Sequence, residues 1–196
     1  MNEFVGQNFR GMMLSLQQRH SFSMTPDELN DYVRREEDVV IAKLKEKLVP
    51  CPGVNSVLER LAEGKRYTLA VVSSSALRRV KASIEKGGQD KYFGNRVYSA
   101  ATSLPKPTSK PDPAIYLHAI EQLGKKAEEC VAVEDSKSGT LSGTRAGIKV
   151  IGYIGPYSEE ERPKMEDALT EAGAVVIMRD WSEFDECLAR IEGGSV

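Results

Sequence analysis

The sequence has little of what metal clusters and disulfide frameworks are made from. Its three cysteines, Cys51, Cys130 and Cys187, are odd in number, far apart and form no CxxC pair. They read as reduced thiols of a cytoplasmic protein. The two histidines, His20 and His118, have no Cys or His close by, which argues against a zinc site. No apolar run approaches the ~20 residues needed to span a bilayer. No signal peptide is readable at the N-terminus, and there is no repeat or low-complexity tract. Excess charge is lacking too: 27 basic and 29 acidic residues leave a net charge of −2. That balance gives no reason to expect nucleic acid or an anionic membrane as partner.

What is present is an ordinary globular composition, 40% hydrophobic and 29% charged over 196 residues, enough for one domain or two small ones. Residues 1–49 read as all-helical. Phe9, Met12, Met13 and Leu16 recur at helical spacing. Thr25-Pro26-Asp27-Glu28 combines an N-cap, a proline at the first position and a capping-box glutamate, predicting a helix from Pro26 to about Leu48. The segment is short for a domain of its own and reads as a cap on something larger. Val49-Pro50-Cys51-Pro52-Gly53 breaks the pattern, and from Val54 helix and strand alternate. Strands are expected at Tyr67–Val72, Arg96–Ser99, Cys130–Val133, Val150–Ile154 and Val175–Met178. Helices are expected at Val54–Glu63, Ala76–Lys86, Asp112–Leu123, Glu159–Ala172 and Ser182–Ile191, the last capped by Ser182, with a further one opening at Ser136 and reaching Ala146. Such alternation implies a Rossmann-like, doubly wound parallel sheet over residues 50–196.

Three stretches at expected strand ends carry chemistry. Ser73-Ser74-Ser75 follows the strand TLAVV, and hydroxyls and free amides at a strand-to-helix turn make an anion site. The plainer reading is that these serines cap the next helix. Lys110 lies in SKPDP, where Pro111 and Pro113 fix a non-helical approach; a lysine on such a turn holds phosphate as a point charge, or is simply a solvated surface residue. Glu134 and Asp135 close the apolar run CVAV. Open α/β sheets bind ligands at the carboxyl ends of their strands, and paired carboxylates there suit Mg²⁺. Otherwise Asp135 and Ser136 cap the helix that follows.

The order hydroxyl, lysine, acid pair, together with the cap and its link, resembles the haloacid dehalogenase superfamily of phosphohydrolases, closest to its sugar-phosphate phosphatase and β-phosphoglucomutase branch. The matching residues are Ser73 in LAVVSSS, Lys110 in SKPDPAIY, Glu134 and Asp135 in VAVEDSKSG, Gly6 in FVGQN and Pro52-Gly53. The resemblance implies that Ser73 hydrogen-bonds a transferring phosphoryl group, with Ser74 and Ser75 beside it. It implies that Lys110 neutralises charge on that group, and that Asp135 with Glu134 holds Mg²⁺. Arg10 and Lys43 would reach a small phosphorylated metabolite from the cap.

One part of the family pattern is missing. Such enzymes begin with a strand ending in Asp-x-Asp, whose first Asp attacks phosphorus and whose second acts as acid and base. No Asp-x-Asp occurs in the 196 residues. Asp180 in VVIMRD follows an apolar run but has no second Asp behind it, so no residue is assigned as nucleophile. The expectation is a shortened form of a longer protein, with little or no hydrolysis and weakened Mg²⁺ binding. A non-catalytic phosphate-binding or regulatory protein and a phosphomutase are the alternatives. In the family the missing strand lies between those ending at Ser73 and Glu134, so a slot with unpaired backbone groups is expected there. A second copy exchanging a strand is one way to fill it.

Overall fold

The computed structural model describes residues 9–194; the FVGQN stretch with Gly6 lies outside them. The chain forms two compact units, Met1–Leu48 and Val49–Val196. The first is a pair of helices, α1 (Phe9–His20) and α2 (Pro26–Lys47). The helix start read from Thr25 is in place. The Thr25 hydroxyl accepts from the Glu28 amide at 3.2 Å, and the Glu28 carboxylate accepts from the Thr25 amide at 2.8 Å. Leu29 is the one buried residue of α2, and α1 has none.

The second unit runs α3 (Val54–Gly64), β1 (Val71–Ser73), α4 (Leu77–Lys86), α5 (Asp90–Phe93), β2 (Val97–Ser99), α6 (Ala114–Leu123), β3 (Val131–Glu134), α7 (Lys137–Arg145), β4 (Lys149–Tyr153), α8 (Arg162–Glu171), β5 (Val176–Met178) and α9 (Phe184–Glu192). All strand pairings are parallel, as expected for a Rossmann-like α/β core. The short α5 has no counterpart in the sequence reading, because four residues give no period to detect. The last helix begins later than expected. Asp180, not Ser182, makes the cap by accepting from the Ser182 amide at 2.8 Å, and a short 3₁₀ turn precedes α9. Asp180 is thus an exposed capping carboxylate.

The sheet is interrupted. β1 pairs with β2, and β3 with β4 and β5, but β1 and β3 are not paired. Between their facing edges lies a cavity of about 740 Å³, lined by residues 66–72, 130–133 and side chains of α3, α6 and α9. This gap explains why β1 is shorter than expected. Its partner strand starts only at Val97, opposite Val71, and its other edge faces the cavity. Tyr67–Ala70 therefore has no neighbour to form a ladder with.

The core is correspondingly divided. Val80, Ile84, Phe93 and Val97 pack under β1 and β2. Tyr116, Ala132 and Val150 pack on the α6 side of β3 and β4. Ile151, Met178, Phe184 and Leu188 pack on the α9 side. Cys51, Cys130 and Cys187 are all free. Among the described residues no helix is long and apolar enough to cross a membrane.

Candidate functional site

β1 ends at Ser73, and the next three residues turn the chain into α4. None of the serines caps that helix. The Leu77 amide instead donates to the Thr102 hydroxyl at 3.2 Å. The serines fix the turn itself. Ser73 Oγ accepts from the Ser75 amide at 3.1 Å, and Ser74 Oγ accepts from the Lys110 amide at 3.0 Å. The Ser75 carbonyl accepts from the fully buried Ser99 hydroxyl at 2.7 Å. The β1 turn is thereby tied to the segment after β2 and to the lysine turn.

The SKPDP turn is held from several directions. Asp112 Oδ2 accepts from Thr108 Oγ1 and its Oδ1 from the Ala114 amide, both at 2.9 Å. These bonds, the Ala114 amide first, hold the Asp112 carboxyl below the usual aspartate range. Ser142 Oγ donates to the Asp112 carbonyl at 2.7 Å, and Arg145 donates to the Pro111 carbonyl at 3.0 Å, so α7 braces the turn. Lys110 is consequently no solvated surface residue: its side chain is 10% exposed. Its Nζ donates to the Val72 carbonyl at 2.9 Å and to Glu134 Oε1, and lies 5.0 Å from the centre of the Tyr116 ring.

Glu134, the last residue of β3, is 8% exposed. Its Oε1 accepts from both Lys110 and the Tyr116 hydroxyl. Its Oε2 rests on the start of α7, so close that a Cβ on Gly139 would lie 1.9 Å from it. Burial, then the charge of Glu134, then the hydrogen bond to it push the Tyr116 hydroxyl well above the usual tyrosine range, so it stays protonated and donates. Asp135 is exposed, and its carbonyl accepts from the Tyr157 hydroxyl at 2.8 Å. Ser136 caps α7, accepting from the Gly139 amide at 3.1 Å.

The structure thus brings Ser73, Ser74, Ser75, Lys110 and Glu134 into one hydrogen-bonded rim at the carboxyl ends of β1 and β3, with Asp135 next in the chain. Arg10 belongs to the helical unit, where its guanidinium donates to Asn30 at 2.5 Å. Lys43 is exposed there and pairs with Glu46 at 3.1 Å. Sequence reasoning missed Tyr116, Ser99 and Thr102. Tyr116 reads as one more large residue on an apolar helix, and nothing local shows that its hydroxyl meets Glu134. The residues present do not by themselves fit a metal ion. Among the described residues no three acids, histidines or cysteines converge, and Glu134 already accepts from an ammonium and a phenol. An anion near the rim finds serine hydroxyls and one ammonium.

The sequence profile of the haloacid dehalogenase-like hydrolases matches residues 1–153. The chain belongs to the haloacid dehalogenase-like hydrolase family. It is 31% identical over 154 residues to the phosphorylated carbohydrates phosphatase of Thermotoga maritima, an alignment covering 78% of this chain and 66% of that protein. This haloacid dehalogenase-like chain thus spans just under two thirds of that relative's length. Among solved structures, a HAD family hydrolase from Deinococcus radiodurans with bound phosphate and sodium superimposes with a TM-score of 0.70 at 28% identity, covering 96% of this chain and 78% of that one. A putative beta-phosphoglucomutase from Thermotoga maritima gives 0.65 at 28% identity, covering 95% and 80%. In this haloacid dehalogenase-like core, Ser99, Thr102 and Tyr116 join Ser73, Lys110 and Glu134 in a single hydrogen-bonded network.

Proposed function

We propose that the α/β unit is the phosphoryl-binding core of a phosphatase acting on small phosphorylated carbohydrates, Ser73 and Lys110 contacting the phosphoryl group. The observation that carries the reading is the lysine rim. Lys110 is fixed at its amide by Ser74 and at its ammonium by Val72 and Glu134, beside the serine turn that ends β1. The phosphorylated carbohydrates phosphatase of Thermotoga maritima, the relative 31% identical to this chain, supplies the substrate class. Phosphoryl transfer depends mainly on positioning and charge neutralisation, which such a rim provides. Glu134 and Asp135 are the acids available to Mg²⁺. With two carboxylates, one already engaged by Lys110, they would hold it weakly.

A second reading, of phosphate binding without turnover, is favoured by one observation: no Asp-x-Asp occurs in the 196 residues. A phosphomutase needs the same two aspartates. We therefore expect these residues to bind phosphate and to hydrolyse p-nitrophenyl phosphate little or not at all with Mg²⁺ present. Calorimetric titration with inorganic phosphate is the test. Binding on the order of millimolar, weakened on Ser73→Ala, supports the reading, and absence of binding removes it. Robust turnover that disappears on Asp135→Asn would show that the chain attacks phosphorus by another route.

A further inference from the structure

Two donors meet one oxygen at the rim. Lys110 Nζ and the Tyr116 hydroxyl both donate to Glu134 Oε1. They reach it from one short stretch of chain. Lys110 sits on the turn that α7 braces through the Pro111 and Asp112 carbonyls. Tyr116 follows on the first turn of α6, its amide donating to the Pro113 carbonyl at 3.0 Å. The Tyr116 ring is buried among Ala132, Ala146, Ile148 and Val150, so its hydroxyl has a fixed place. Packing asks only for the ring, which a phenylalanine would supply equally well. The hydroxyl is thus the part of Tyr116 that acts on the rim.

The consequence lies in how charge is shared. Lys110 is the ammonium that an anion at the serine turn would meet, and Glu134 is its counter-charge, with side chains 10% and 8% exposed. An ammonium matched by a bare carboxylate in so dry a place has little attraction left for phosphate. A carboxylate oxygen that also accepts from a phenol holds the ammonium less tightly, because its lone pairs and negative charge are divided between two donors. The ring adds to this effect. Lys110 Nζ lies over it, 5.0 Å from its centre, and an aromatic face attracts a cation without demanding one direction. With the Val72 carbonyl also accepting from it at 2.9 Å, the ammonium can turn from Glu134 and keep other partners.

We propose that Tyr116 is a positioning residue for anion binding. By holding Glu134 Oε1 it keeps the Lys110 ammonium from being wholly committed to that carboxylate, and so raises the affinity of the rim for a phosphoryl group. The inference rests on the reading of the rim as a phosphoryl site.

The test compares the intact chain with Tyr116→Phe and Tyr116→Phe/Glu134→Gln in two measurements. Tyr116→Phe keeps the buried ring, and circular dichroism verifies that both variants are folded. The first measurement is trace acetylation with acetic anhydride, read at Lys110 by mass spectrometry with the exposed Lys137 as internal reference. Lys110 reactivity should fall about threefold or more in Tyr116→Phe, as Glu134 closes on the ammonium alone. It should recover in the double variant, which has no carboxylate at this position. The second is calorimetric titration with inorganic phosphate. Affinity should drop about three- to tenfold in Tyr116→Phe and return to the parent's level or above in the double variant. A role in packing alone would lower the thermal midpoint, leave Lys110 reactivity unchanged and not be reversed by Glu134→Gln. Unchanged Lys110 reactivity in Tyr116→Phe, phosphate affinity equal to that of a binding parent, or a double variant no better than Tyr116→Phe each overturns the proposal. A parent that binds no phosphate removes the reading of the rim instead, and the acetylation result then decides alone whether Tyr116 governs the ammonium.

Discussion

Removing the ammonium of Lys110 tests the reasoning about the rim most directly. The Lys110 and Glu134 side chains are 10% and 8% exposed. Lys110→Met keeps most of the aliphatic stem but leaves the Glu134 carboxylate buried against the Tyr116 hydroxyl alone, with the Val72 carbonyl deprived of its donor. Deleting one partner of a buried ion pair costs about 3–5 kcal/mol. That is a large part of the about 5–15 kcal/mol by which domains are stable. At about 2–4 °C per kcal/mol for a unit of this size, the midpoint of thermal unfolding should fall by about 6–20 °C. Lys110→Met/Glu134→Gln carries no uncompensated charge, and the amide still accepts from Tyr116. It should therefore be only about 1–2 kcal/mol less stable than the parent, the remainder being the unpaired Val72 carbonyl. Urea unfolding followed by circular dichroism should show the double variant about 2–3 kcal/mol more stable than Lys110→Met. A single variant within about 1 kcal/mol of the parent would mean the pair behaves like an exposed one. A double variant as unstable as the single would mean that lost packing, not stranded charge, is the cause. Either result refutes the account.

Other expectations follow from the same geometry. Gly139→Ala places a methyl 1.9 Å from Glu134 Oε2, and because Lys110 and Tyr116 hold that carboxylate, the clash should cost about 1–3 kcal/mol in urea unfolding. Ser136→Ala removes the α7 cap and should cost about 1 kcal/mol by the same measurement. At high pH, Tyr116 is held well above the usual range, and Tyr153 is pushed up to about 12, by burial first and the Cys51 thiol second. Groups whose folded pKa is raised contribute stability that is fully present below the unfolded value near 10 and fades as pH rises toward the folded value. Stability should therefore decline from about pH 10 upward, with Tyr116→Phe flattening that decline; an unchanged alkaline limb would show that Tyr116 ionises as it does in the unfolded chain.

Much of the fold is legible in the sequence because its signals are local. The Thr25–Glu28 capping box, the alternation of apolar runs with helical periods, and the proline-rich link all act within a few residues. What is not legible depends on partners far away in the chain. Tyr67–Ala70 reads as strand from its composition, yet a strand exists only where a neighbour completes its ladder, and here β2 starts too late and the other edge meets a cavity. At the rim, the sequence marks Ser73, Lys110 and Glu134, but not the roles that pin them. Tyr116, Ser99 and Thr102 act across 18–25 residues of chain, and no periodicity records such a contact.

The interrupted sheet also changes how the rim is to be understood. Lys110 bonds to the backbone edge of β1 and to the final side chain of β3, so one ammonium spans the two half-sheets at their carboxyl ends. Anion binding and the joining of the half-sheets therefore draw on the same group. A phosphate that engages Lys110 would compete for it with Glu134 and with the Val72 carbonyl, so anion binding would loosen this side-chain link between the two half-sheets.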